Sequence, residues 1–272
     1  KKNFPQSKSY LDNAMLKQGI SLTMNRNYPL AISTFESLLN EYPESKFRNE
    51  THYWLGYASS LSAELLRGKN KKKAIKKYKV SIKHLTNCNV ESLTQKQKKK
   101  RWYLIGHAWW VLDKISKAAK AWNYYLKELN YSDSEKALQI KYQLASRFQR
   151  DKDFSESEKW FGRIVTEHTK SKLAEESSFW RAEMAYAASL QKNKVISKKT
   201  SDRIIKYYKV YLEKNDEKHR AITFYRIGTL EQDLRPLKSI SAFKNYLNTK
   251  DNTFSNEVQY RLAHLYINTK KP

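Results

Sequence analysis

The residues able to do chemistry are few and badly spaced for it. Six histidines, His52, His84, His107, His168, His219 and His264, are scattered along the chain. None belongs to a His-Glu-x-x-His pair that could grip zinc from one helical face. His84 and the single cysteine, Cys88, stand four residues apart, and two ligands without a third make a poor metal site. One cysteine also excludes an intramolecular disulfide and a Cys-based zinc site. The segment Gly68-Lys69-Asn70 lacks the glycine-rich run and following hydroxyl that hold a phosphate and its magnesium. Carboxylates are plentiful, yet nothing in their spacing sets two across a cleft, so they are expected to be solvated or paired with nearby lysines. The expectation is a protein with no catalytic residue, no cofactor and no metal.

What remains is charge, aromatic content and pattern. The 272 residues include 53 Lys and Arg against 27 Asp and Glu, a net +26. A charge so far from zero keeps a chain soluble and attracts anything acidic. Lysine outnumbers arginine about three to one, and Lys, Asn, Ile and Tyr are all abundant, as an AT-rich genome would write them into any protein. The charge is therefore either a compositional background or an attraction for an acidic protein, lipid headgroups or nucleic acid. No apolar stretch reaches the roughly 18 residues of a membrane span. The chain opens Lys1-Lys2-Asn3-Phe4 without Met, so an upstream signal, anchor or domain is allowed for.

Only six Gly and five Pro, with 40% hydrophobic and 13% aromatic residues, favour helices over a turn-rich β-protein. At this length the chain must divide into domains or grow by stacking repeats. A small residue on one helix, followed by aromatic anchors on the next, recurs seven times, the last copy lacking its second helix. In the first copy Gly19 is followed by Ala31, Phe35, Leu38 and Pro43, with Pro29 suited to a helix's first turn. The third reads Trp102, Ile105, Gly106, Trp109, Ala118, Trp122 and Tyr125. The second pairs Gly56 with Ala74 and Tyr78 across about six extra residues that lengthen its first helix or its turn, with Asn70 to Lys73 in the extension. The fourth carries Ala145, Ser157 and Phe161, and the fifth Ala182, Ile204 and Tyr208 across a polar connection around Gln191 to Ser201. The sixth has Gly228, Ser239 and Phe243, and a last helix runs from Glu257 to Ile267.

These spacings resemble the tetratricopeptide signature, in which a small residue lets two helices approach and an aromatic residue fills the partner position. The resemblance implies an all-α fold, a right-handed superhelical solenoid of about six hairpins plus a final helix. An extension over residues 1–9 would precede a single solenoid over 10–267. Its repeats would run approximately over 10–43, 49–87, 97–130, 135–169, 173–214 and 217–249, with the final helix over 255–268. The segment Ala31 to Pro43 and the phrase Tyr53-Trp54-Leu55-Gly56 are similar to the periplasmic, cell-envelope branch of that superfamily. The Lys- and Asn-rich composition also resembles spirochaete flagellar-motor collar proteins.

In such a stack the fifth position of each repeat looks into the concave groove, and here it reads Leu16, Tyr53, Tyr103, Tyr142, Phe179, Tyr225 and Tyr260. These rings either fill the inner wall or bind a partner, joined by Tyr57, His107, Trp110, Glu183 and Tyr186. Trp110 is the foremost candidate, because Trp109 is expected to fill the core position beside it. Two lysine runs bracket the second helix of the second repeat and could join into one basic edge, with Lys71, Lys72 and Lys73 in one and Lys98, Lys99 and Lys100 in the other. They are either a solvated face or a steering surface. The functional expectation is a non-enzymatic scaffold for protein partners, acidic or membrane-associated, in a periplasmic or cell-envelope assembly. The rival class is a nucleic-acid-binding helical repeat with lysines on phosphate and tyrosines on bases; the lysine excess over arginine weighs against it. Self-assembly through the last helix is a third possibility.

Overall fold

The computed structural model describes residues 7–128, 134–192, 195–214 and 216–269. Among these residues there are thirteen helices and no strand, and no helix is long and apolar enough to cross a membrane. The chain forms two compact units. Unit 1, Lys1–Tyr131, contains α1 (Ser7–Met24), α2 (Tyr28–Glu41), α3 (Arg48–Arg67), α4 (Lys71–Asn87), α5 (Gln95–Val111) and α6 (Ile115–Glu128). Unit 2, Ser132–Pro272, contains α7 (Glu135–Arg150), α8 (Phe154–Glu167), α9 (Lys172–Lys192), α10 (Lys198–Leu212), α11 (Arg220–Glu231), α12 (Pro236–Leu247) and α13 (Ser255–Asn268). Successive helices pair as hairpins, and α13 follows the last pair.

Short polar residues start these helices by replacing missing backbone partners. Thr94 and Gln97 form a reciprocal capping box on α5. Asn70, Ser134, Asp153 and Ser197 accept from the third backbone amide of α4, α7, α8 and α10. Pro29 and Pro236 occupy the first turns of α2 and α12, where no amide hydrogen is needed. Three tips turn through a left-handed residue that is not glycine: Arg26 (φ 61°), Asp113 (φ 59°) and Lys152 (φ 60°). Each lies seven residues after the small residue of its repeat, Gly19, Gly106 or Ala145.

The small residues do what their spacing implies. A Cβ on Gly19 would collide with the Phe35 ring and one on Gly106 with Trp122; one on Gly228 would lie 2.5 Å from the Phe243 ring. All three rings are buried, so each hairpin is closed by one large side chain against bare backbone.

The second hairpin departs from the expected register. Gly56 faces Leu85, whose Cγ a Cβ would approach to 2.6 Å, while Tyr78 packs nearer the tip with Ala63 and Ala74. Gly56 precedes the cap Asn70 by fourteen residues, whereas Gly19 precedes the cap Asn27 by eight. The additional residues therefore extend both helices while the turn stays short, and Lys71 to Lys73 open α4. Ala63 and Ala74 make this possible, because they continue the close helix contact beyond Gly56.

In the fifth hairpin α9 continues to Lys192 and α10 starts at Lys198, so most of the expected polar connection is helical. Residues 193–194 lie outside the described residues, as does the end of the expected third repeat at 129–130. The first helix begins at Ser7, inside the 1–9 extension, because its helical pattern continues upstream of Tyr10.

Unit 2 buries ionic side chains, among them Glu231 of α11, paired with Arg235, and Lys141. Lys141 is fully buried on α7; its Nζ donates to Glu167 Oε2 at 2.5 Å and lies 2.7 Å from His168 Nε2. Arg163 holds the other Glu167 oxygen at 2.9 Å. A buried ammonium is tolerated only when paired in this way, and here it ties α7 to the end of α8.

Candidate functional site

In unit 1 the candidate surface is made by two first helices, α3 and α5. Tyr103, His107 and Trp110 recur at intervals of four and three along α5, which places them on one helical face. Tyr53, Tyr57 and Glu64 follow the same rule on α3. Tyr53 stacks with Tyr57 at 6.3 Å between centroids, and Tyr103 with His107 at 6.1 Å. The two rows meet. His107 Nδ1 lies 3.4 Å from the Glu64 carboxylate, and the Lys100 ammonium sits 5.6 Å from the Tyr57 ring. Glu64 also accepts from the Tyr78 hydroxyl.

Tyr53 is buried, while Tyr57, Tyr103, His107 and Trp110 are partly buried and keep part of their surface in solvent. Trp110 packs on the core residue Trp122 at 5.5 Å, and Trp109 is partly buried beneath the Lys117 ammonium. Burial pushes up the phenol pKa of Tyr57 and Tyr103, the latter also through the Glu64 charge, so both remain hydroxyl donors at neutral pH. Glu64 was absent from the sequence expectation. Its place seven residues after Tyr57 is the signal that could have included it.

Unit 2 brings Glu183 and Tyr186 of α9 together around Arg226 of α11. The guanidinium binds the Glu183 carboxylate at 3.1 and 3.4 Å and lies 4.7 Å from the Tyr186 ring. Tyr208 of α10 donates to the same carboxylate. Burial lowers the Arg226 pKa, but the Glu183 charge outweighs it and leaves the group raised. Phe179 is buried against the His219 ring at 4.0 Å, and Tyr225 is buried against Phe254 at 4.3 Å with its hydroxyl donating to Glu257 at 2.9 Å. Tyr142 is partly buried beside Phe161, Leu16 is buried, and Tyr260 is 72% exposed. The seven residues at the fifth position thus range from core to solvent.

The lysine runs lie at opposite ends of α4. Lys71, Lys72 and Lys73 are exposed at the hairpin tip, whereas Lys98, Lys99 and Lys100 are partly buried at the start of α5. An exposed row, Lys72, Lys76, Lys79 and Lys83, runs between them on one face of α4, about 16 Å of helix.

His84 finds a different partner from Cys88. Its Nδ1 lies 2.9 Å from His52 Nδ1, with the rings stacked at 5.1 Å. Burial, with the charges of Arg48 and Lys83 around the pair, pushes His52 down and His84 to about 4, so both are neutral at pH 7 and share one hydrogen bond. Cys88 is buried, its thiol donates to the His84 carbonyl at 3.3 Å, and burial raises it to about 11. Among the described residues no three metal-ligating side chains come together.

The first hairpin carries the sequence signal that comparison with known families detects. Residues 13–45 match the tetratricopeptide repeat. That repeat takes in most of α1 and all of α2, and the glycine-to-ring contacts of Gly106 and Gly228 repeat its packing in both units. No curated protein matches the chain. Solved structures superpose along nearly its whole length. The TPR2AB-domain:pHSP90 complex of yeast Sti1 is 10% identical, covering 94% of this chain and 98% of its own, at a TM-score of 0.38. BtubC from P. vanneervenii is 14% identical, covering 94% and 93%, at 0.39. Pseudomonas aeruginosa pilF is 11% identical, covering 96% and 100%, at 0.37.

Proposed function

We propose that the protein is a non-enzymatic scaffold that binds a protein partner on its first-helix faces. Tetratricopeptide repeats serve as protein-interaction scaffolds, and function on such folds resides in the surface they present. The observation that carries the reading is the α5 row Tyr103, His107 and Trp110, held in place beside Tyr57 and Glu64 yet still reachable by solvent. Large rings with two rotatable bonds, fixed by packing, lose little entropy on binding and are typical interface anchors. Glu183, Tyr186 and Arg226 offer a second, more polar surface in unit 2. The lysines of α4 and α5 steer an acidic or membrane-associated partner. The setting we propose is the cell envelope, in its narrowest form a flagellar-motor collar, because a net charge of +26 would make RNA binding a constant hazard in the cytoplasm.

The test is affinity capture from the native organism with wild type and a Tyr103→Ala, Trp110→Ala variant at low and high salt. The expected result is one envelope protein retained by wild type and weakened at least ~tenfold in the variant. Nucleic acid recovered equally by both and removed by salt would overturn the reading.

A further inference from the structure

The tip of the α3–α4 hairpin is a site the aromatic surface does not explain. The six additional residues between Gly56 and Asn70 carry it about 9 Å beyond the reach of the first hairpin. Residues 67–101 contain fourteen Lys and Arg against one acidic residue, Glu91, a net +13 and half the charge of the whole chain. Lys69, Lys71, Lys72 and Lys73 are all exposed there, and none forms an ion pair among the described residues. Three lysines in a helix's first turn oppose the macrodipole, so helix formation does not account for them. Among them stands Leu65, 61% exposed in the last turn of α3.

We propose that this hairpin tip docks on an anionic lipid bilayer, with lysines at the headgroups and Leu65 entering the interface. The cavities that include Ser155 and Arg203, and Glu217 and Asp251, are lined by residues of unit 2 and not of the tip, whereas a bound peptide needs a groove or a sheet edge. It shows no exposed aromatic ring for a base to stack on, since Tyr78 is fully buried. Its one arginine, Arg67, is paired with Glu64 at 3.8 Å, which leaves lysine point charges with little of the fork geometry suited to nucleic-acid phosphates. A negatively charged membrane asks only for clustered cations and an apolar side chain on a surface that can approach a plane. The exposed row Lys72, Lys76, Lys79 and Lys83 continues the charge along α4.

This sharpens the basic-surface part of the function proposed above and is independent of Tyr103 and Trp110. The test is co-sedimentation of the full chain with phosphatidylcholine vesicles and with vesicles containing phosphatidylglycerol. Wild type is expected on the anionic vesicles alone, less so as salt rises. Lys71→Glu, Lys72→Glu, Lys73→Glu together should lower partitioning on the order of a hundredfold, and Leu65→Ser, at unchanged charge, roughly tenfold. A charge-matched control in unit 2, Lys206→Glu, Lys209→Glu, Lys238→Glu, and the Trp110→Ala, Tyr103→Ala variant should bind as wild type does. Equal losses in tip and control variants would overturn the proposal in favour of unspecific attraction. So would a Leu65→Ser variant that binds as wild type, or single-stranded RNA that displaces the protein from vesicles by binding the same lysines. Thermal melts check that each variant is folded, and Leu65→Ser, at an exposed position, keeps the test decisive if the triple reversal unfolds.

Discussion

At the scale of single residues, this chain is organised by what is missing from glycine. Gly228 is a mid-helix residue, where alanine would raise helix propensity by about 1 kcal/mol. The Phe243 ring occupies the space that a methyl group would need. Overpacking of a close contact costs about 1–3 kcal/mol; with the propensity gain subtracted, Gly228→Ala should lower stability in urea by a net of up to about 2 kcal/mol. Gly68 is the control: it ends α3 with ordinary φ, and a methyl group there would meet no atom within 4 Å. Gly68→Ala should be neutral or stabilise by about 0.5 kcal/mol through the unfolded chain. If both substitutions gave the same sign, the glycines would be compositional and the register argument would fail. The partner rings were legible from spacing in three hairpins, Phe35, Trp122 and Phe243, because a short turn sets them 16, 16 and 15 residues after Gly19, Gly106 and Gly228. In the second hairpin the eye stops at Tyr78, the expected aromatic, whereas Leu85 is what touches Gly56.

At the scale of elements, hairpins are fastened by polar contacts that no periodicity reveals. Lys141 occupies a core position of α7, where a pattern of apolar residues would place Leu or Met. It is kept there by the Glu167 carboxylate and His168 at the end of α8. Truncation to alanine removes a fully buried side chain and leaves both partners without its ammonium, so Lys141→Ala should cost about 3 kcal/mol. Lys141→Met refills the volume, and Glu167 still has Arg163 and some solvent; its cost should stay near 1 kcal/mol. Denaturant melts of the two variants separate volume from charge: an equal loss would mean the ion pair itself dominates. The Glu183, Arg226 and Tyr208 group fastens α9, α10 and α11 by the same logic, and its carboxylate was named from sequence only as a groove residue.

For the whole molecule, charge is the dominant quantity. Thirty-five residues hold half of the net +26, and the observed ion pairs join partners mostly at or near the surface, where each is worth little. Self-repulsion should therefore exceed pair attraction, and added salt should stabilise the fold. Raising ionic strength from ~0.01 M to ~0.15 M shortens the screening length from about 30 to about 8 Å. The melting temperature is expected to rise by several degrees with an unchanged denaturant m-value. A fall would mean that ion pairs such as Arg226 with Glu183 contribute more than repulsion removes.

Helix content, the hairpin order and the small-to-large contacts of Gly19, Gly106 and Gly228 followed from the sequence alone, because a 3.6-residue period and a short turn are local properties that spacing records. Tertiary structure decided how far each hairpin extends and which rings remain in solvent. Ala63 and Ala74 decide that the extra residues of the second hairpin, which spacing assigned to either the first helix or the turn, lengthen both helices, since close contact can continue wherever small residues face each other. Tyr53, Phe179 and Tyr225 went to the interior while Tyr260 stayed outside, although all hold one repeat position. Burial depends on the element packed beside each ring, and Phe254 covers Tyr225 as His219 covers Phe179.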